Sequence, residues 1–382
     1  MSATSGESKP IHILFVGAGA VGCFYASRCH HVSPTITTLD AMRDSDYGQP
    51  SANIYVSLIC RSNYATISRS GVTLETRSFG NYHFKPHAVY SSISHAATSP
   101  DAPPEGWDYV VVTTKALPEI TDDSKEIEPL IRRAPDGKTC IVLIQNGVGI
   151  EEAHRKRFPR NPIVSAVTVI SAEQISHGVV RQNRWTRISL GSYSDGRGGE
   201  TPEMKEVSKR GDECARELAR ILTDYGKLRD AEYHDETDLQ LIRWHKICIN
   251  GSMNPSAVLS GGLGNATMVR DPDLREHLKG CMDEVFAAVP AILKREFPPS
   301  LAKPEKILAS TERNVGAKPS MLLDWEAGRP MELEVILGNP IRIARAHGVE
   351  MPRLQTLYAL LKSASKAREE AKKKQTTRTS NL

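Results

Sequence analysis

No stretch of the sequence approaches the roughly 18 consecutive apolar residues that a membrane-spanning helix needs, so no bilayer-crossing segment is expected. The opening residues, MSATSGESKP, hold neither an apolar core nor an arginine. They read as a short disordered lead over 1–10, not as a signal or transit peptide. The seven cysteines, at 23, 29, 60, 140, 214, 248 and 281, contain no CxxC and form no Cys/His group of zinc-binding spacing. Cys23, Cys60, Cys140 and Cys248 lie in apolar surroundings and fit as free thiols in a reducing compartment. A soluble, cytoplasmic protein without a metal centre is therefore expected. A basic surface for nucleic acid is missing too. The formal charge of +4 is matched by the segment KAREEAKKKQTTRTSNL from Lys366 onward, six basic residues against two acidic, and the other 365 residues balance. The tail over 367–382 reads as a solvated helix end fraying into disorder. No internal repeat is visible.

What is present is enough for two cored domains: 382 residues, 40% of them hydrophobic. The folded part opens on IHILFVGAGAVGCFYASRC, where Ile11 to Val16 is a short apolar run of the buried-strand type. Gly17, Gly19 and Gly22 follow at once, then a helical stretch. Strand, G-x-G-x-x-G, helix is the context that gives this motif its meaning. Gly17 allows the tight turn, Gly19 lets the backbone approach a pyrophosphate, and Gly22 lets helix and strand pack closely. From Ala20 the helix start offers unpaired N–H groups to phosphates.

The polar stretch over 32–52 reads as an insertion ahead of a second strand, NIYVSLICRS, residues 53–62. Near its end stands Arg61, where an NAD-binding chain carries an Asp or Glu; an arginine there suits a 2′-phosphate, so NADP(H) is the expected cofactor. Further core strands are expected at 109–114, 140–145 and 163–170, with a helix over about 120–133. This alternation argues for a parallel, doubly wound sheet whose functional groups gather at the carboxyl ends of its strands. Lys115 and the QNGVG segment with Asn146 occupy such positions, where a cofactor's nicotinamide end belongs. Residues 178–193 alternate like a hairpin, 194–206 reads as a turn-rich loop, and a helix is expected from about 207 to 225. From Leu239 helical periodicity dominates. The expected fold is α/β: an N-terminal Rossmann-type doubly wound sheet over 11–235, followed by an all-helical domain over 236–366.

In RWHKICINGSMNP, residues 243–255, Lys246, Asn250 and Asn254 stand four residues apart and share one helical face, amid core-like Ile247, Cys248, Ile249 and Met253. A charged amine flanked by amides on a buried-looking helix needs an explanation. The order of VGAGAVG, TTKA, QNGVG, HKICINGSMNP, KPSMLLDWEAGRPMELE and ARAHGVEMP supplies one, because it resembles the ketopantoate reductases (2-dehydropantoate 2-reductases) over roughly residues 11–365. The resemblance implies a two-domain NADPH enzyme that reduces 2-dehydropantoate to (R)-pantoate, a step of pantothenate and coenzyme A biosynthesis. It assigns Lys246 as the catalytic lysine and Asn250 and Asn254 as substrate-side asparagines. It puts Asn146 and Lys115 at the nicotinamide end, Ser320 in contact with substrate, and Glu332 as the acid that meets the substrate hydroxyl.

The chemistry of the residues agrees. Hydride delivery to a ketone builds negative charge on its oxygen, and a positioned ammonium stabilises that charge and supplies the proton. Lysine does so best when desolvation lowers its pKa toward neutrality. The family's acid motif continues Glu-x-Asp-Tyr-x-Asn-Gly; here ELEVILG puts Glu334, Val335 and Leu337 at the departing positions. That leaves two alternatives open: a reductase of another 2-oxo acid or β-keto compound, and a catalytically silent NADPH-binding regulator. The partner expected is a small-molecule 2-oxo acid, with a homodimer allowed for and neither nucleic acid nor membrane involved.

Overall fold

The computed structural model describes residues 9–30 and 53–380, without the side chains of 375–380. The insertion expected over 32–52 and most of the expected N-terminal lead lie outside the described residues. The chain divides into two compact units. Unit 1 takes in residues up to Lys115, then Asp122–Gln145 and Ile150–Leu239; unit 2 takes in Ala116–Thr121, Asn146–Gly149 and Gln240–Leu382.

Unit 1 is built on one sheet of ten strands among the described residues: β1 Ile11–Val16, β2 Ile54–Ile59, β3 Val72–Thr76, β4 Gly80–Phe84, β5 Val89–Tyr90, β6 Tyr109–Val112, β7 Cys140–Ile144, β8 Ile163–Ser176, β9 Val179–Ser192 and β10 Ala231–Tyr233. Their order is β4-β3-β9-β8-β7-β6-β1-β2-β5, with β10 beside β9. All pairings are parallel except β3 with β4 and β8 with β9. The central strands read as unbroken apolar runs because both faces are covered: IHILFV, YVVV and CIVLI are almost wholly buried. From β1 the chain steps to β2 on one side and later to β6 on the other. The carboxyl end of β1 is therefore a topological switch point, where open parallel sheets bind their ligands. The register aligns Val16 with both Ile59 and Val112, so three strand ends meet there.

The sheet with helices, and a second unit of helices, is the expected fold class. Several elements differ from expectation. The helix expected over 120–133 is two single turns, Asp123–Glu126 and Glu128–Ile131. Pro129 separates them, because it has no N–H for the carbonyl four residues back and its ring clashes there. The loop expected to reach 206 ends sooner: Thr201 accepts from the Met204 N–H and starts a helix at Pro202 that runs to Arg220. Residues 178–193, expected to form a hairpin of their own, are instead one strand, β9, whose antiparallel partner is β8; β8 runs on to Ser176, beyond the strand expected over 163–170, and the β3–β4 hairpin falls outside every expected element.

Unit 2 is helical apart from its two short segments. The helix Glu236–Leu259 begins in unit 1 and carries its last 20 residues, from Gln240, into unit 2. Helices Asn265–Arg270, Pro272–Leu293, Pro304–Thr311 and Ser320–Glu326 follow. A π-helical turn, Glu334–Gly338, leads into Asn339–Ala346, and Pro352–Ser380 ends the unit. The tail that reads as fraying is helical through Ser380. The Arg368 guanidinium lies 3.8 Å from the Trp325 ring centroid and donates to the Trp325 carbonyl at 2.6 Å, and Lys372 Nζ donates to the Gly328 carbonyl at 2.9 Å. These contacts tie the first part of the tail to the end of the Ser320–Glu326 helix. No helix among the described residues is long and apolar enough to cross a membrane.

Candidate active site

In unit 1 the turn after β1 is fixed by its own packing at two of its three glycines. Gly17 sits at φ +115, and an added Cβ would lie 2.9 Å from Thr113 Oγ1. At Gly22 a Cβ would stand 2.1 Å from the Gly17 carbonyl oxygen. Gly19 is different: among the described residues nothing lies within 4 Å of where its Cβ would be. The protein's interior therefore does not demand a glycine at 19, whereas a pyrophosphate drawn against the backbone does. Gly19 precedes the first turn of the helix Ala20–Cys29, which carries no acidic residue to repel a phosphate. These residues fit a dinucleotide.

Two residues that sequence reasoning missed brace this turn. Thr113 Oγ1 donates to the Gly17 carbonyl at 2.7 Å, and buried Asn63 donates through Nδ2 to the Ala18 carbonyl at 2.8 Å. Neither carries a motif; both act from strand ends that the sheet brings beside β1. Arg61 is exposed just beyond β2, at the same end of the sheet as Gly17. Lys115, partly buried, is the residue at which the chain leaves unit 1 after β6.

In unit 2 the segments 116–121 and 146–149 join the helix that carries Lys246. Lys246 Nζ donates to Asn146 Oδ1 at 2.8 Å. Asn146 Nδ2 donates in turn to Glu332 Oε2 at 3.0 Å, and the Ala116 N–H donates to Glu332 Oε1 at 3.2 Å. The amide thus links cation to carboxylate, and its orientation is set by its partners: oxygen toward the ammonium, nitrogen toward the carboxylate. Glu332 is buried and Lys246 partly so. Burial brings the Lys246 pKa down to about 8, helped by the like charge of Arg243 and opposed by Glu332.

The loop that presents Asn146 is held tightly. Gly147, at φ +93, has no room for a Cβ, which would stand 2.4 Å from Val335 Cβ. The Val148 N–H donates to the Val335 carbonyl at 3.0 Å, and Asn339 Nδ2 donates to the Val148 carbonyl at 2.8 Å. Arg243, buried, donates through Nη1 to the Gly147 carbonyl at 2.9 Å. The π-helical turn puts the Val335 carbonyl within reach of this loop, and such turns recur at functional sites.

The expected stripe is present on the helix. Asn250 is partly buried, and Asn254 is 5% exposed with Nδ2 lacking a hydrogen-bond partner among the described residues. A buried amide donor with no protein acceptor suits a ligand oxygen. Ser320 is exposed at the first residue of its helix. The structure therefore joins Lys246, Asn146 and Glu332 by hydrogen bonds, whereas Ser320 has no hydrogen bond to any of the three. Sequence reasoning missed Arg243, although its place three residues before Lys246 on the same helix was a usable signal.

The family model described as ketopantoate reductase PanE/ApbA matches residues 13–195, and that described as ketopantoate reductase PanE/ApbA C terminal matches residues 238–365. An uncharacterized protein of Saccharomyces cerevisiae is 30% identical, over 91% of this chain and 92% of its own. A 2-dehydropantoate 2-reductase of Nostoc is 24% identical, over 80% of this chain and 86% of its own. The crystal structure of 2-dehydropantoate 2-reductase from Methylococcus capsulatus matches with a TM-score of 0.70 at 30% identity, covering 93% of this chain and 96% of that one.

Proposed function

This chain belongs to the ketopantoate reductase family, whose members include 2-dehydropantoate 2-reductases, and from that premise we propose that it reduces 2-dehydropantoate to (R)-pantoate with NADPH. The observation that carries the reading is the Lys246–Asn146–Glu332 chain of hydrogen bonds, with the lysine's pKa drawn down to about 8. When bound at the glycine turn, NADPH supplies the hydride. The chain's own residues do the rest. Below pH 8 the Lys246 ammonium is charged and carries three N–H donors, of which Asn146 takes one. Another meets the substrate's ketone oxygen, stabilises the charge that develops there and yields its proton to it. Asn254 Nδ2 donates to a substrate oxygen. Glu332 accepts from the substrate hydroxyl while holding Asn146 in orientation. Arg61 pairs with the 2′-phosphate and so selects NADPH over NADH.

A second reading, a reductase of another 2-oxo acid, draws on the positions that depart from the family's acid motif. Glu334 is engaged by Arg342 at 2.8 Å and Lys362 at 3.2 Å, Val335 lies against Gly147, and Leu337 is fully buried. Val335 and Leu337 lack the polar groups that the family motif has there, and the Glu334 carboxylate is taken up by Arg342 and Lys362. The test is the loss of NADPH absorbance with the purified protein and a panel of 2-oxo acids. Turnover confined to 2-dehydropantoate supports the first reading, and turnover of others the second. Tight NADPH binding without any turnover would contradict both and favour a silent regulator.

A further inference from the structure

Arg243 is an unusual neighbour for Lys246. It lies three residues earlier on the same helix, so the two side chains share a face. It is only 2% exposed. Two like charges brought together out of water disfavour each other, and the pairing needs a reason. Part of the reason is mechanical. Arg243 Nη1 holds the Gly147 carbonyl at 2.9 Å, while Lys246 Nζ holds the side chain of the preceding residue, Asn146, at 2.8 Å. Two cations on one helix thus grip consecutive residues of one loop. A neutral donor such as glutamine could also hold a carbonyl. What arginine adds is a charge that persists across the working pH range, because its guanidinium does not give up its proton there.

We infer that Arg243 is a positioning residue for the proposed reductase: it anchors the loop that orients Asn146 and sets a permanent positive charge beside the Lys246 ammonium, readying that ammonium to release its proton. The inference rests on the functional reading above. The charged groups acting on Lys246 are Arg243 from its own helix and Glu332 from the segment ahead of the π-helical turn; the third neighbour, Asn146, is neutral. The two charges act in opposite directions. Burial is the largest influence and favours loss of the proton; Arg243 adds to it and Glu332 favours retention.

The experiment uses the full chain with Arg243→Gln, which keeps a donor for Gly147 but removes the charge, and Arg243→Lys, which keeps the charge. Two quantities are read for each: the pH at which turnover of the 2-oxo acid falls on the alkaline side, and the pH midpoint for acetylation of Lys246 by acetic anhydride, followed by mass spectrometry. Arg243→Gln is expected to move both midpoints up by about one pH unit. Arg243→Lys should leave both near the wild-type values. A purely structural role lowers turnover or melting temperature without moving either midpoint. An Arg243→Gln protein with wild-type midpoints, or an Arg243→Lys protein shifted as far as Arg243→Gln, would overturn the inference. Should the wild-type protein reduce no 2-oxo acid, the functional reading fails on its own. The acetylation midpoint still decides whether Arg243 acts on Lys246.

Discussion

Replacing Lys246 by methionine should make the protein more stable and nearly inactive at once. Methionine keeps the apolar stem and removes the ammonium. The lysine's pKa falls from 10.5 to about 8 in the folded chain, with burial the leading cause. At about 1.4 kcal/mol per tenfold change in proton affinity, holding the charge there costs the folded state about 3 kcal/mol at neutral pH, as an upper bound. Methionine relieves that but leaves Asn146 Oδ1 without its donor, a loss of about 1–2 kcal/mol. The net gain is on the order of 1–2 kcal/mol, or an unfolding midpoint raised by a few degrees. Turnover should fall by about 10²–10⁴, the usual size of a general-acid and oxyanion contribution. The pH dependence carries the same signature. Below pH 8 the lysine is charged in both folded and unfolded chains, so the penalty is fully present. Between about 8 and 10.5 the folded protein has released the proton and the unfolded chain has not, so wild-type stability rises with pH there. The Lys246→Met protein should lose that rise. Thermal or urea unfolding across pH, alongside NADPH turnover, measures both. A folded Lys246→Met protein that is less stable than wild type and turns over near normally would refute the reasoning. That is the behaviour of a lysine whose stem packs while its head reaches water.

Other substitutions probe the remaining groups. Gly19→Ala meets nothing within 4 Å, so stability should change by less than about 0.5 kcal/mol, while NADPH affinity, read by fluorescence titration, should fall about tenfold or more. Gly147→Ala places a methyl group against Val335 at φ +93 and should lower stability by about 1–3 kcal/mol in a urea titration, with turnover lost as the Asn146 loop shifts. Arg61→Ala should weaken NADPH about ten- to a hundredfold and leave NADH nearly unchanged, since one charge-assisted contact is worth about 1.5–3 kcal/mol; equal loss for both cofactors would remove Arg61 from the 2′-phosphate. Glu332→Ala should raise KM for the hydroxylated substrate and narrow its advantage over the deoxy analogue. Because Glu332 favours the charged lysine, its removal should also move the alkaline fall in turnover to lower pH.

What could be read from the sequence was what is local. The Gly17–Gly22 turn and the Lys246, Asn250, Asn254 stripe each lie within one strand-turn-helix or one helix, and their spacing alone puts them on a shared surface. The central strands were legible because burial on both faces leaves unbroken apolar runs. The β3–β4 hairpin was not, since VTLET and GNYHF are short and mixed in polarity. Residues 116–121 and 146–149 read as tails of the sheet's strands, yet they belong to unit 2, where Ala116 and Asn146 bond to Glu332. Reading the sequence segment by segment assigns each to its neighbours in the chain. Only the fold reveals a partner 186 residues away, as Asn146 has in Glu332. Asn63 and Thr113 escaped notice for the same reason: a single polar residue after a strand carries no pattern until the strand order is known.

In the proposed reaction, hydride passes from NADPH to the ketone carbon of a 2-oxo acid. The most direct measurement incubates the purified protein with 2-dehydropantoate and NADPH deuterated at the transferring position of nicotinamide C4, then locates the label by mass spectrometry and NMR. One deuterium should appear at C2 of (R)-pantoate for each NADPH oxidised. In the Lys246→Met protein, which still binds the cofactor, the label should transfer about 10²–10⁴ times more slowly. NADPH bound but not oxidised by the wild-type protein, or oxidised without deuterium appearing at C2, would contradict the proposed reaction.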